Sequence, residues 1–213
     1  VPAKPRPPDS LEAATVDGHR LESESTFRRL AFEGIDFGGQ SADSVEFEQC
    51  RFRRATLAGV RLEQSSFTDC LVDNSDWANA RTAKTALVRV KLTTVRLTGL
   101  QWIDGTLRDV SFQDCRMDLS TFRFTSFKDV AFIDCNLGRA DFTNADLRGA
   151  QFTGCDLSGA QFAQADCAGA RFTRCDLAGL SGVANLRGAT LSAPDLAALS
   201  HVFAGALGIT IEE

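Results

Sequence analysis

Tyrosine is absent from these 213 residues, methionine occurs once and histidine twice. With 16 phenylalanines and no tyrosine, the expected aromatic interior carries no phenolic hydroxyl that needs a partner. The two histidines, His19 and His201, lie toward opposite ends of the chain, and no nucleophile–base–acid constellation is recognisable in the sequence. No P-loop or dinucleotide fingerprint stands between a strand and a helix. No enzymatic role is therefore expected, and no catalytic residue is assigned. No apolar run approaches the roughly 18 residues of a membrane span, and no charged-then-apolar leader is seen, so no membrane association is expected. A net charge of -5 argues against direct nucleic-acid binding, which calls for a basic surface. There is no C-x-x-C pair, so the seven cysteines suggest no metal site, and no cofactor is expected.

What the chain does have is a period. Written in fives from Val130, it reads VAFID CNLGR ADFTN ADLRG AQFTG CDLSG AQFAQ ADCAG ARFTR CDLAG. The first residue of each block is small, the second is mostly Asp, Asn or Gln, and the third is almost always Phe or Leu. Five is neither the helical 3.6 nor the strand 2.0. Alternation within a block points the first and third residues inward. An odd period then needs a bend in every block, or the next block would turn its apolar residues to water. Glycine in the fifth slot, as at Gly149, Gly154, Gly159, Gly169 and Gly179, suits that bend.

The cysteines set the length of a lap. Cys115, Cys135, Cys155 and Cys175 are spaced by twenty, as are Cys50 and Cys70, and all six occupy the first slot. Twenty residues make four blocks per lap, and each lap adds about 4.8 Å to a rod. Cys167 falls in the central slot, so all seven are expected to be buried thiols, reduced as in a cytoplasmic protein.

Ala145-Asp146-Leu147-Arg148-Gly149 and Ala140-Asp141-Phe142-Thr143-Asn144 resemble the Ala-(Asp/Asn)-Leu-X-X consensus of the pentapeptide-repeat family. The central slot keeps phase from Phe27 to Leu177, with few exceptions such as Ala42, Thr82 and Cys167. The resemblance implies an all-β solenoid: a right-handed quadrilateral β-helix of about eight coils with a solid core. Phe and Leu filling that core argue against a ligand cavity inside it.

Residues 1–10 are proline-rich and expected to be disordered. Residues 11–191 form the β-helix. Leu11, Val16 and Leu21 sit one residue out of phase and form an imperfect first coil or cap, which a solenoid end requires. Trp77 and Trp102 in central slots suggest a wider or bulged coil. The stretch 78–90 is the most degenerate, but the unbroken phase favours a rod without loops. After Leu177 the phase slips by one. Ser192-Ala193-Pro194-Asp195 then opens a C-terminal α-helix in 192–213, with a capping box and an early proline. Leu196, Leu199, Phe203 and Leu207 follow helical spacing, and Ile209-Thr210-Ile211 suits a short final strand. The helix is expected to cap the last coil. As the resemblance implies, it also forms a homodimer interface through those four residues.

Second-slot acids (Asp141, Asp146, Asp156, Asp166, Asp176) are expected to bond to turn backbone. Fifth-slot acids (Asp104, Asp109, Asp114, Asp129, Asp134) have no such consensus role. The four-block rule stacks Asp109 with Asp129 and Asp114 with Asp134, a repulsive arrangement of up to roughly 1 kcal/mol per pair. Arg108 and Lys128 alongside can offset it. Both a solvated face and a partner contact fit these acids. Leu119 and Phe124 occupy the same outward slot and suggest a contact surface. Arg81, Lys84, Arg89, Lys91 and Arg96 form a basic collar around one region of the rod.

Within the family, the chain is most similar to the Qnr-type and mycobacterial fluoroquinolone-resistance proteins. That resemblance implies an acidic DNA mimic that binds a type II topoisomerase, DNA gyrase, and protects it from quinolone-like poisons. The alternative is a protein-interaction scaffold unrelated to topoisomerases.

Overall fold

The computed structural model describes residues 1–15 and 18–210. Val16, assigned above to the first lap, and Ile211, assigned to a final strand, lie outside the described residues; Ile209 and Thr210 adopt no strand conformation.

The chain winds as an all-β, right-handed solenoid of roughly nine turns. Pairing is parallel, and partners through the regular laps stand twenty residues apart. One ladder runs Phe112, Phe132, Phe152, Phe172, and another runs Leu62, Thr82, Trp102. The turn count exceeds the expected eight because the imperfect first lap also pairs, Glu12–Ala13 lying beside Leu30 and Ala31. No loop interrupts the degenerate region: Arg81–Ala83 and Ala86–Thr93 are both strands of the rod.

Central-slot side chains fill the axis. Phe112, Phe132, Phe152 and Phe172 stack with centroids 4.8–4.9 Å apart and planes within 4°. A second column, Phe122, Phe142 and Phe162, meets the first edge-on, at 82° between Phe142 and Phe152. Such pairs add about 0.5–1.5 kcal/mol each beyond the area they bury. The two tryptophans are buried without a bulged coil. Thr82 lies beside Trp102 in the ladder, and Gly105 leaves a first slot empty. A Cβ on Gly105 would sit 2.3 Å from Trp102 Nε1.

First-slot side chains do more than fill space. Where a turn leaves the next inward N–H unbonded, the residue one lap on supplies an acceptor. Val45 N–H donates to Ser65 Oγ at 3.1 Å, Ala55 N–H to Ser75 Oγ at 3.1 Å, and Ser65 N–H to Thr85 Oγ1 at 3.4 Å. Buried donors need partners, so at these positions Ser or Thr serves where an apolar first-slot residue would leave the N–H unbonded. The thiols donate in turn to backbone carbonyls, Cys155 to Phe132 O and Cys175 to Phe152 O, both at 3.5 Å.

The slip after Leu177 appears as Arg171 pairing with Thr190. The expected single C-terminal helix is two, α1 (Ala193–Ala198) and α2 (Ser200–Ala206), which break at Leu199. Ser192 caps α1, accepting Asp195 N–H at 3.4 Å. Leu199 is fully buried and plugs the end of the core.

Candidate partner-binding surface

The fifth slot is a corner, and the backbone there is left-handed. Asp104, Asp109, Asp114, Asp129 and Asp134 have φ between 51° and 56°, Leu119 59° and Phe124 58°. Gly, Asn and Asp tolerate this conformation best, and other L-residues pay roughly 1–2 kcal/mol for it. The corner conformation therefore suits these aspartates, although Arg, Gln and Lys hold it at other corners of the rod. Leu119 and Phe124 stand out among the corners as the large apolar residues, where polar side chains or glycine otherwise recur.

The structure keeps some of the expected residues together and separates others. Arg108 pairs with Lys128 and Val110 with Val130, which sets Asp109 beside Asp129 on one edge. Asp114 N–H donates to Ile133 O, placing it beside Asp134 on the next edge. Leu119 N–H donates to Gly138 O on the third edge, and Phe124 N–H to Thr143 O on the fourth. Asp104 shares that fourth edge, bonded to Arg123 O. The seven residues form a belt around the rod, not a patch on one side.

Phe124 is 58% exposed and Leu119 48%. Leu119 borders a shallow groove of about 380 Å³ with Arg116, Asn136 and Arg139. The twenty-residue rule, applied to Leu119, would have found Arg139. Ile133, on the face between the two acidic edges, is 36% exposed; its fourth-slot position carried no signal in the sequence.

The acids divide by what they touch. Asp141, Asp146, Asp156, Asp166 and Asp176 accept the N–H two residues on, at 2.9–3.2 Å, as expected of second-slot turns. Arg89 binds Asp69 through two bonds of 2.6–2.7 Å, and Arg96 binds Asp76 at 3.2 Å. The basic collar is thus spread around the rod and partly neutralised. Burial pushes the Asp69 carboxyl upward, but the Arg89 guanidinium and the Arg6 N–H together hold it below the usual carboxylate value. Among the described residues, no ion pair reaches Asp104, Asp109, Asp114, Asp129 or Asp134.

The proline-rich arm, expected to be disordered, lies against the rod instead. Ala3 N–H donates to Asp109 Oδ1 at 2.9 Å and Arg6 N–H to Asp69 Oδ1 at 3.1 Å. At the other end, the four expected dimer contacts separate. Leu199 is buried within its own chain and is not an interface residue, because the rod's open end takes it. Phe203 is half-buried against the core, while Leu196 and Leu207 are 51% and 73% exposed.

Among the described residues, no three metal-ligating side chains converge. The void in the core beside Trp77 and Trp102 measures about 10 Å³ and offers no ligand site. All seven cysteines are buried and unpaired. Burial pushes the Cys167 thiol up to about 12.

The chain is 27% identical over 126 residues to YisX of Bacillus subtilis (strain 168), covering 59% of this chain and 58% of that protein's length. HetL of Nostoc sp. strain PCC 7120, a pentapeptide repeat protein involved in heterocyst differentiation regulation, overlays with a TM-score of 0.40 at 17% identity, covering 82% of this chain and 90% of its own. Trypsin-treated QnrB1, a plasmid-mediated fluoroquinolone resistance protein, gives a TM-score of 0.34 at 19% identity, covering 88% and 100%. The pentapeptide repeat region matches residues 41–122 and 105–181, more than half of the sequence, and this chain belongs to the pentapeptide-repeat family.

Proposed function

We propose that this chain is a non-catalytic scaffold that binds a partner protein through the belt from Asp104 to Asp134. The observation that carries this reading is the state of Leu119 and Phe124. Each is a large apolar side chain left in water, on a backbone conformation that disfavours it. Neither cost is offset within the monomer, and burial against a partner would offset both. Aspartates without ion pairs on the adjoining edges supply a polar rim. A photo-crosslinking residue at 124 or 119 tests the reading, with position 164, on the same edge as 124, as control. Crosslinks to one partner from 119 and 124 but not from 164 support it. Equal labelling from all three positions refutes it.

The stacked pairs Asp109/Asp129 and Asp114/Asp134 favour a second reading, in which the partner is a DNA-binding enzyme of the type II topoisomerase class. Carboxylates in rows would replace phosphates against basic enzyme residues, so binding would weaken with salt. A supercoiling assay with DNA gyrase, with and without a quinolone, decides this. If added protein neither inhibits supercoiling nor rescues the poisoned enzyme, gyrase is not the partner. Homodimerisation through the C-terminal helices belongs to the same proposal, with Leu196, Leu207 and the exposed side of Phe203 as contacts. Leu207→Asp should then sediment as a monomer, and a persisting dimer would place the interface elsewhere.

A further inference from the structure

One edge of the rod carries, lap by lap, Gln49, Asp69, Arg89, Asp109 and Asp129, and the N-terminal arm lies along it. Pro2, Pro5 and Pro8 are half-buried, while the other residues of 1–9 are exposed. A contact at every third residue is the signature of a polyproline II helix, which turns once in three residues and rises about 9.3 Å in doing so. Two laps of the rod rise about 9.6 Å. The bonds follow both repeats: Ala3 N–H reaches Asp109, and Arg6 N–H, three residues on, reaches Asp69 two laps below. One lap further down, Gln49 Nε2 donates to Arg6 O at 3.1 Å. A polyproline II backbone makes no internal hydrogen bonds, so its N–H and C=O groups are available to such side chains.

We propose that this edge is a polyproline II docking strip, and that the arm is its resident ligand, a strap covering Asp109. Recognition rests on three features. A proline precedes each bonded amide and sets the spacing. The carboxylates of Asp69 and Asp109 accept those amides. Lys4 and Arg6 bring positive charge to an edge with two acids that lack ion pairs, Asp109 and Asp129. Asp69 is held in place for its role by the two bonds from Arg89. This inference goes beyond the partner-binding reading and stands without it. If both hold, a partner that uses Asp109 must first displace the arm.

The test is amide hydrogen exchange by NMR on the full chain. The Ala3 and Arg6 amides are expected to exchange roughly tenfold more slowly than in the synthetic peptide of residues 1–9, as one hydrogen bond each implies. Asp109→Ala should remove the protection at Ala3 and leave the rod spectrum otherwise intact. One glycine inserted between Lys4 and Pro5 should break the register, so that the two amides are no longer protected together. Excess synthetic peptide in trans should speed exchange of both amides, and a peptide with the prolines moved off the triplet should not. Free-peptide exchange rates in the full chain, or protection that survives both Asp109→Ala and the insertion, would overturn the proposal. So would equal competition by the rearranged peptide.

Discussion

Asp195 stands one lap beyond Cys175 and accepts its N–H at 3.1 Å, ending the column of Cys115, Cys135, Cys155 and Cys175 with a carboxylate. Its other oxygen accepts the Ser192 hydroxyl at 2.6 Å, so one side chain both starts α1 and closes the last lap. Asp195→Ala should therefore cost roughly 1–3 kcal/mol, the range for leaving a buried donor unpaired. Asp195→Asn should cost less, because it retains an acceptor. Thermal unfolding measures the loss, and amide exchange at Cys175 places it at that end of the rod.

Gly105→Ala should destabilise by roughly 1–3 kcal/mol, as overpacking does. The added methyl meets Trp102 Nε1 at 2.3 Å and Thr85 O at 2.8 Å, and the backbone cannot yield. Combining it with Trp102→Leu should recover part of the loss. A chemical melt of the single and double variants tests the pairing, and additive costs would exclude it.

Phe124→Asn and Leu119→Asn should leave stability unchanged or raise it by up to about 1 kcal/mol, since asparagine tolerates the left-handed corner. Phe124→Asn should also weaken the crosslink made from position 119, and Leu119→Asn the one made from position 124. Stability and binding would then move independently, as expected of residues kept for a partner.

Stability should fall in acid, and the sign follows from three carboxylates. Asp69 and Asp141 are pushed upward by burial but held low by Arg89 and by Thr143 and Arg123, respectively. The Arg148 guanidinium holds Asp146 low. A lowered native value means that the unfolded chain binds protons first. The stability these groups contribute is complete above the ordinary value of 3.8 and is lost as pH falls through their lower native values. Denaturation midpoints between pH 5 and 2 should show the slope, and Asp69→Asn should reduce it.

Much of the fold was legible because a five-residue period admits few solutions. Phe132, Phe142 and Phe152 are buried where the phase places them, and Cys135 stacks with Cys155 as the spacing requires. The surface was harder to read. Asp109 and Asp129 looked like a choice of residue because the left-handed corner that favours aspartate is a backbone property. Leu119 and Phe124 are exposed as their outward slot requires, but block numbering placed them in one belt without showing that they face different edges. Leu199 carried the same helical signal as Leu196 and Leu207, yet one plugs the core and the others meet water, because helical spacing marks an apolar side without naming what covers it.

The period by itself determined the inward and outward positions, the lap length and the stacked columns, because each follows from repeated local bends that exclude water from one axis. Only the tertiary structure decided the rest. It set Asp195 under Cys175, broke the terminal helix at Leu199 and laid the proline-rich arm along Asp69 and Asp109. Those contacts join segments with no shared repeat, so their formation depends on where the finished rod leaves unpaired donors, an open core and an acidic edge.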